Sequence, residues 1–233
     1  MIKRVWLLLL VFLIMLSASA SAEIVRIGKT SCLLLPATEE DLMKRYIFFT
    51  GSGDYFTALR NTDGLAAADG TLLIPQADSQ YNSCSVASDA VMKDLRPQLL
   101  SWAQEGSEII LIGYSVGGYP ATVLAAYLAQ EGYTGRLVLL DGVYSMYRGT
   151  HYNAPYFREH LESWKVTICA SASRNVKISV RTAKVGDALS GDTFVDYRQY
   201  KMSHNELKAL TRIILSGKAL PDPEDLEGTE EIP

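Results

Sequence analysis

The 233-residue chain is short of cysteine, of positive charge and, beyond its first 22 residues, of long apolar runs. Each scarcity excludes something. Its three cysteines, Cys32, Cys84 and Cys169, form no Cys-x-x-Cys, and the three histidines, His151, His160 and His204, add no His/Cys cluster at metal-ligand spacing. No resident metal and no other cofactor is expected. Lys and Arg number 22 against 26 Asp and Glu. A chain without a basic excess is a poor partner for nucleic acid or an anionic membrane surface. The Asn-x-Ser/Thr acceptor is missing, and no segment repeats.

The one long apolar run stands at the start. Lys3 and Arg4 precede Val5–Leu16, and Ser17-Ala18-Ser19-Ala20-Ser21-Ala22 supplies small residues after it. That is the layout of a secretory signal peptide cut after Ala22 or Ala20. Its apolar part is well below the roughly 20 residues a spanning helix needs. The expectation is a cleaved signal over residues 1–22, no stable membrane anchor, and a secreted or periplasmic protein. Losing Lys3 and Arg4 takes the formal net charge from −4 to −6. In an oxidising compartment one cysteine pair can form. Cys32 with Cys84 is the expected pair, because Cys84 lies in a polar stretch, whereas Cys169 sits in an apolar one and is expected to be a buried thiol.

Residues 23–219 read as one α/β domain with a proper core. Strand-type runs at Ile24–Ile27, Cys32–Leu35, Tyr46–Thr50, Thr71–Pro75, Ile109–Ile112 and Leu137–Leu140 alternate with helical spacings. Val91, Leu95, Leu99 and Trp102 form one such helix, where Pro97 implies a kink or a late start. Val123, Leu124, Tyr127 and Leu128 form another. The strand runs are near-continuously apolar, as strands covered on both faces should be. The fold class expected is therefore a mostly parallel central sheet with helices on both faces. Further on, Phe157, Leu161, Trp164, Ile168 and Ala172 recur at spacings of three and four, with Pro155 suited to a first helical turn. The pattern predicts a helix over 155–173 and a parallel strand over Val176–Thr182. Phe194–Met202 reads as the last strand, before the helical pattern Leu207, Leu210, Ile213, Ile214. From Leu220 to Pro233 the chain is acidic and poor in apolar residues, so disorder is expected.

Chemistry concentrates in Glu108-Ile109-Ile110-Leu111-Ile112-Gly113-Tyr114-Ser115-Val116-Gly117-Gly118. It reads as a strand, a sharp turn carrying one serine, and a helix. Such a Gly-x-Ser-x-Gly turn lifts a hydroxyl out of the backbone, and glycines two residues to either side let strand and helix close on each other. On this motif and the order of elements around it, the chain resembles the α/β-hydrolase family, with at most a small cap. The resemblance covers most of residues 23–219, but its specific motif is Gly113-Tyr114-Ser115-Val116-Gly117.

The resemblance implies a nucleophile, then an acid, then a histidine along the chain. Ser115 is the nucleophile. His204 follows the last strand and is the base, since imidazole titrates near neutral pH and can take a hydroxyl proton. His151 and His160 are expected to be exposed, or substrate contacts at best. For the acid, Asp187 in Lys184-Val185-Gly186-Asp187 is preferred as a loop residue after the strand at Val176. Asp141, directly after Leu140, and Asp192 remain alternatives. The oxyanion hole would combine the backbone N–H of Val116 with one from Thr50-Gly51-Ser52-Gly53-Asp54, Ser52 being the candidate donor, although the His-Gly pattern of many relatives is missing there. The Tyr-rich stretch 142–152 suggests a small amphipathic lid. The resemblance implies cleavage of a carboxylic ester or thioester from a small-molecule or lipid-like acyl substrate. A peptidase or amidase, an acyltransferase, and a non-catalytic binding protein on the same fold are the alternatives.

Overall fold

A computed structural model describes residues 22–51, 64–75, 89–143, 146–147, 150–173 and 176–226. The signal peptide expected over residues 1–22 lies, but for Ala22, outside them, as do Ser52, Gly53, Asp54 and Cys84. Among the described residues, eight strands form one sheet: β1 (Glu23–Ile27), β2 (Thr30–Leu35), β3 (Lys44–Phe49), β4 (Gly70–Pro75), β5 (Glu108–Tyr114), β6 (Gly135–Leu140), β9 (Lys165–Ser171) and β10 (Val195–Tyr200). Their order is β1-β2-β4-β3-β5-β6-β9-β10. β2 runs antiparallel to both neighbours, and every pairing from β4 to β10 is parallel. A separate two-stranded ribbon joins β7 (Met146–Tyr147) to β8 (Thr150–His151).

The apolar runs are continuous because helices cover both faces. Along β5, Ile109 and Leu111 join one buried cluster while Ile110 and Ile112 join the other. Successive strand side chains point to opposite faces, so a strand buried on both sides cannot alternate apolar with polar. The first cluster is closed by α1 (Asp89–Gln104), α2 (Gly118–Gln130), α3 (Ala154–Leu161) and Leu189 of α4 (Lys177–Leu189). The second is closed by Leu207 and by α5 (Leu210–Leu215). Each fully buried Ile or Leu here contributes about 1.5–3 kcal/mol of transfer free energy. α1 spans Asp89–Gln104 with Pro97 inside it, so the proline starts no helix.

Two expectations are exchanged between Pro155 and Thr182. Helix α3 stops at Leu161, β9 occupies Lys165–Ser171, and Val176–Thr182 lies at and within the start of α4. The spacing that suggested one long helix did identify buried residues, since Phe157, Leu161, Trp164 and Ile168 are all buried. They are contributed by a helix, a turn and a strand in succession. α4 was disguised because β-branched Val176 at its N-cap and Val180 within it are exposed, while its inward face consists of Ser179, Thr182, Ala183, Gly186 and Leu189. Small residues bring this helix close to the sheet: a Cβ on Gly186 would stand 2.2 Å from the Tyr197 ring of β10. Tertiary packing overrode β propensity.

The acidic segment from Leu220, expected to be disordered, is held against β10 as far as Leu226. Arg198 donates to the Leu220 and Pro221 carbonyls at 2.7 and 3.1 Å, and the Tyr200 hydroxyl donates to Pro221 at 2.9 Å. Leu220 and Leu226 pack on the second apolar cluster. Two backbone anchors and two leucines suffice where composition alone argued against order. Cys32 and Cys169 are both buried and, among the described residues, neither is in a disulfide; Cys84, the expected partner of Cys32, lies outside them. Burial pushes the Cys32 thiol up to about 12. Among the described residues no helix is long and apolar enough to cross a membrane.

Candidate active site

β5 ends at Tyr114, and the backbone turns sharply through a single 3-10 turn, Ser115–Gly117, into α2. Ser115 has φ +53°, in the left-handed region that non-glycine residues seldom occupy. Such a conformation costs about 1–3 kcal/mol and persists only where its surroundings enforce it. They do so by leaving no room. A Cβ on Gly113 would stand 2.5 Å from the Gly118 Cα, and one on Gly117 would stand 2.2 Å from the Phe49 carbonyl oxygen. The expected role of both glycines, close approach of strand and helix, is the one they have. Val116 follows in the first turn, where backbone N–H groups have no partner within the helix. The chain leaving β3 passes directly over the serine, since a Cβ on Gly51 would lie 3.0 Å from the Ser115 Cβ. Ser52, the next residue, lies outside the described ones.

His204 reaches Ser115 from the loop after β10. Its Nε2 is 3.1 Å from the Ser115 Oγ. Its Nδ1 is 3.0 Å from Oδ2 of Asp141, not of Asp187. The imidazole stacks on the Tyr114 ring, with centroids 5.1 Å apart and planes 26° from parallel. The Tyr114 hydroxyl donates to the His204 carbonyl at 3.1 Å and contacts Asn205 Oδ1 at 3.4 Å. Burial, and next the charge of Asp141, push this phenol up to about 12, so it remains a donor at any ordinary pH. The loop itself is a closed turn. Glu206 accepts from the Ser203 N–H at 2.6 Å, and that bond holds its carboxyl below the ordinary range.

Asp141 is fully buried and directly follows β6. Its φ of +45° makes it, like Ser115, left-handed without being glycine. Three donors converge on the carboxylate: Ser171 N–H on Oδ1 at 2.9 Å, and both the Ser179 hydroxyl and His204 Nδ1 on Oδ2. The arrangement fixes the imidazole tautomer. With Nδ1–H donating to Asp141, Nε2 is left as an acceptor for the serine proton.

The carboxylate that His204 meets is therefore Asp141 and not the preferred Asp187. Asp187 is exposed on α4 and makes no bond to His204; its backbone carbonyl accepts from Ser190. The premise of a loop following a strand fails because that strand is a helix. Asp192 pairs with Arg158 at 3.0 Å. His160 lies on α3 against the Tyr156 ring. His151 is exposed on β8 and, with Val143, Tyr152, Arg181 and Lys184, lines a cleft of about 390 Å³. Ser171, Ser179 and Tyr114 were missed. Tyr114 lay inside the motif, but nothing in a sequence marks a ring that will stack on a histidine ninety residues away. The two serines stood in segments whose secondary structure was exchanged. Among the described residues, no three His, Cys, Asp or Glu side chains are grouped to hold a metal ion.

No family model matches the chain, and no curated protein matches it. Solved structures do. The structure of TT1662 from Thermus thermophilus superposes with a TM-score of 0.57 at 15% identity, over 84% of this chain and 94% of that one. A thermostable esterase from Pseudomonas putida ECU1011 gives 0.55 at 14% identity, over 84% and 81%. A dienelactone hydrolase from Anabaena variabilis ATCC 29413 gives 0.52 at 14%, over 84% and 95%. At such identities the likeness is one of fold.

Proposed function

This chain has the α/β-hydrolase fold, and from that premise we propose that it is a secreted or periplasmic serine hydrolase acting on a carboxylic ester or thioester. The observation that carries the reading is the unbroken line Ser115 Oγ, His204 Nε2, His204 Nδ1, Asp141 Oδ2, with spacings of 3.1 and 3.0 Å. A serine, an imidazole and a carboxylate in that order do one kind of chemistry well.

In this reading Ser115 Oγ attacks the acyl carbonyl while His204 Nε2 takes its proton. Asp141 holds the ring in place and stabilises the imidazolium that forms. Charge develops on the former carbonyl oxygen, where the N–H of Val116 and a donor from the chain beyond Gly51 would meet it. His204 then gives its proton to the departing alkoxide or thiolate. Water enters, loses a proton to His204, attacks the acyl-serine and releases the carboxylic acid with Ser115 restored. Neither metal nor organic cofactor takes part. Ser115 alone is acylated and regenerated over the cycle. The N-terminal run Lys3–Ala22 supports export.

Esters are the first substrates to test because their leaving groups depart more readily than amines. The protein is expected to hydrolyse 4-nitrophenyl acetate and to lose that activity in Ser115→Ala. A series of 4-nitrophenyl esters of increasing acyl length would define the acyl preference. A folded wild-type protein that turns over none of them, or a Ser115→Ala variant as active as wild type, would overturn the reading.

A further inference from the structure

The acid turn, Asp141–Val143, is strained and yet carries the carboxylate on which the histidine depends. Its φ of +45° is one that an aspartate adopts at a cost. Something must hold it. On one side it lies against the nucleophile turn: a Cβ on Gly142 would stand 2.6 Å from the Gly113 carbonyl oxygen, and one on Gly118 would stand 1.8 Å from the Gly142 carbonyl oxygen. On the other side it meets α4 through two hydroxyls one helical turn apart. Ser179 donates to Asp141 Oδ2. Thr182 Oγ1 accepts from the Val143 N–H at 3.1 Å and donates to the Ile178 carbonyl at 2.9 Å, so both its proton and a lone pair are committed. Both side chains are fully buried.

We propose that Ser179 is a positioning residue for the catalytic acid: its hydroxyl aims Asp141 Oδ2 at His204 Nδ1, with Thr182 bracing the turn from the same helix face. The inference rests on the proposed serine-hydrolase reading. Of the two carboxylate oxygens, Oδ1 is fixed by the Ser171 backbone, which no side-chain change removes. Among the described residues, Oδ2 is shared by His204 and Ser179. Without the serine, Oδ2 loses one of its two described partners, and the carboxylate can pivot about its Ser171 bond so that Oδ2 moves off the line to the imidazole. The face of α4 that sequence patterning took for part of a strand is thus the face that orients the acid.

The test is a double-substitution cycle on hydrolysis of 4-nitrophenyl acetate. Ser179→Ala, in otherwise wild-type protein, should lower kcat about 10- to 100-fold, the size of a lost hydrogen bond to a charged group, with KM within about twofold. In an Asp141→Asn background the same change should cost less than about twofold, because the group it acts through is already gone. Melting temperatures of all four proteins check that each is folded. A loss of equal size in both backgrounds would mark Ser179 as merely structural and overturn the proposal, as would an unchanged kcat for Ser179→Ala alone. Failure of the underlying reading looks different: Asp141→Asn and Ser115→Ala would then leave hydrolysis intact regardless of residue 179.

Discussion

Asp141→Asn is expected to lower kcat for ester hydrolysis by roughly 10⁴-fold, the cost of the same change where an aspartate fixes a catalytic imidazole, while Asp187→Asn changes it less than about twofold, as exposed surface substitutions do. The difference follows from what surrounds each carboxylate. Asp141 has a donor on each oxygen, from Ser171, Ser179 and His204. An amide placed there in either orientation sets an NH₂ against a buried donor. The negative charge that would stabilise an imidazolium is lost in both. Asp187 is exposed on α4 and, among the described residues, hydrogen-bonds to none of the site. Steady-state kinetics on the two variants, with melting curves, decides between them. Comparable losses in both would remove Asp141 from its special role.

His204→Ala should be more damaging still, lowering kcat by up to about 10⁶-fold, because loss of the base leaves the nucleophile without its proton acceptor. The fold should survive. The Tyr114 hydroxyl bonds to the backbone carbonyl of residue 204, which alanine retains, and the turn is closed by Glu206 on Ser203. What disappears is one stacked ring and two side-chain bonds. A cooperative melt within a few degrees of wild type, with hydrolysis reduced to background, is the expected pair of results. Full activity in a folded His204→Ala protein would exclude His204 as the base.

Much of the architecture could be read from apolar runs, since a strand buried on both faces has no option but to be apolar throughout. Ile109–Ile112 and Leu137–Leu140 announced the centre of the sheet in this way, and the glycines flanking Ser115 announced the turn between them. The pairing of Ser115 with His204 came from the family resemblance, which puts the base in the loop after the last strand. The acid did not follow, and the cause was local. Lys165–Ser171 carries Ile168 at helical distance from Trp164, while Lys177–Leu189 hides a helix behind exposed Val176 and Val180 and a buried face of serine, threonine, alanine and glycine. Hydrophobic periodicity finds a helix only when its buried face is apolar. Here close approach to Tyr197 demanded small residues, and the acid demanded a hydroxyl. Exchanging those two elements carried the assignment to Asp187 and left Ser179 unseen. The ordered stretch to Leu226 was missed for a related reason: its anchors are the side chains of Arg198 and Tyr200, which composition of the segment itself does not register.

The central claim is that residue 115 is an activated nucleophile, and a fluorophosphonate tests it with the fewest assumptions, because phosphonylation needs an attacking oxygen and a base but no particular acyl substrate. Intact-mass and peptide analysis after labelling should find one adduct per chain, on Ser115, absent from Ser115→Ala and strongly slowed in His204→Ala. A folded wild-type protein that stays unlabelled, or one whose adduct sits on another residue, would contradict the account.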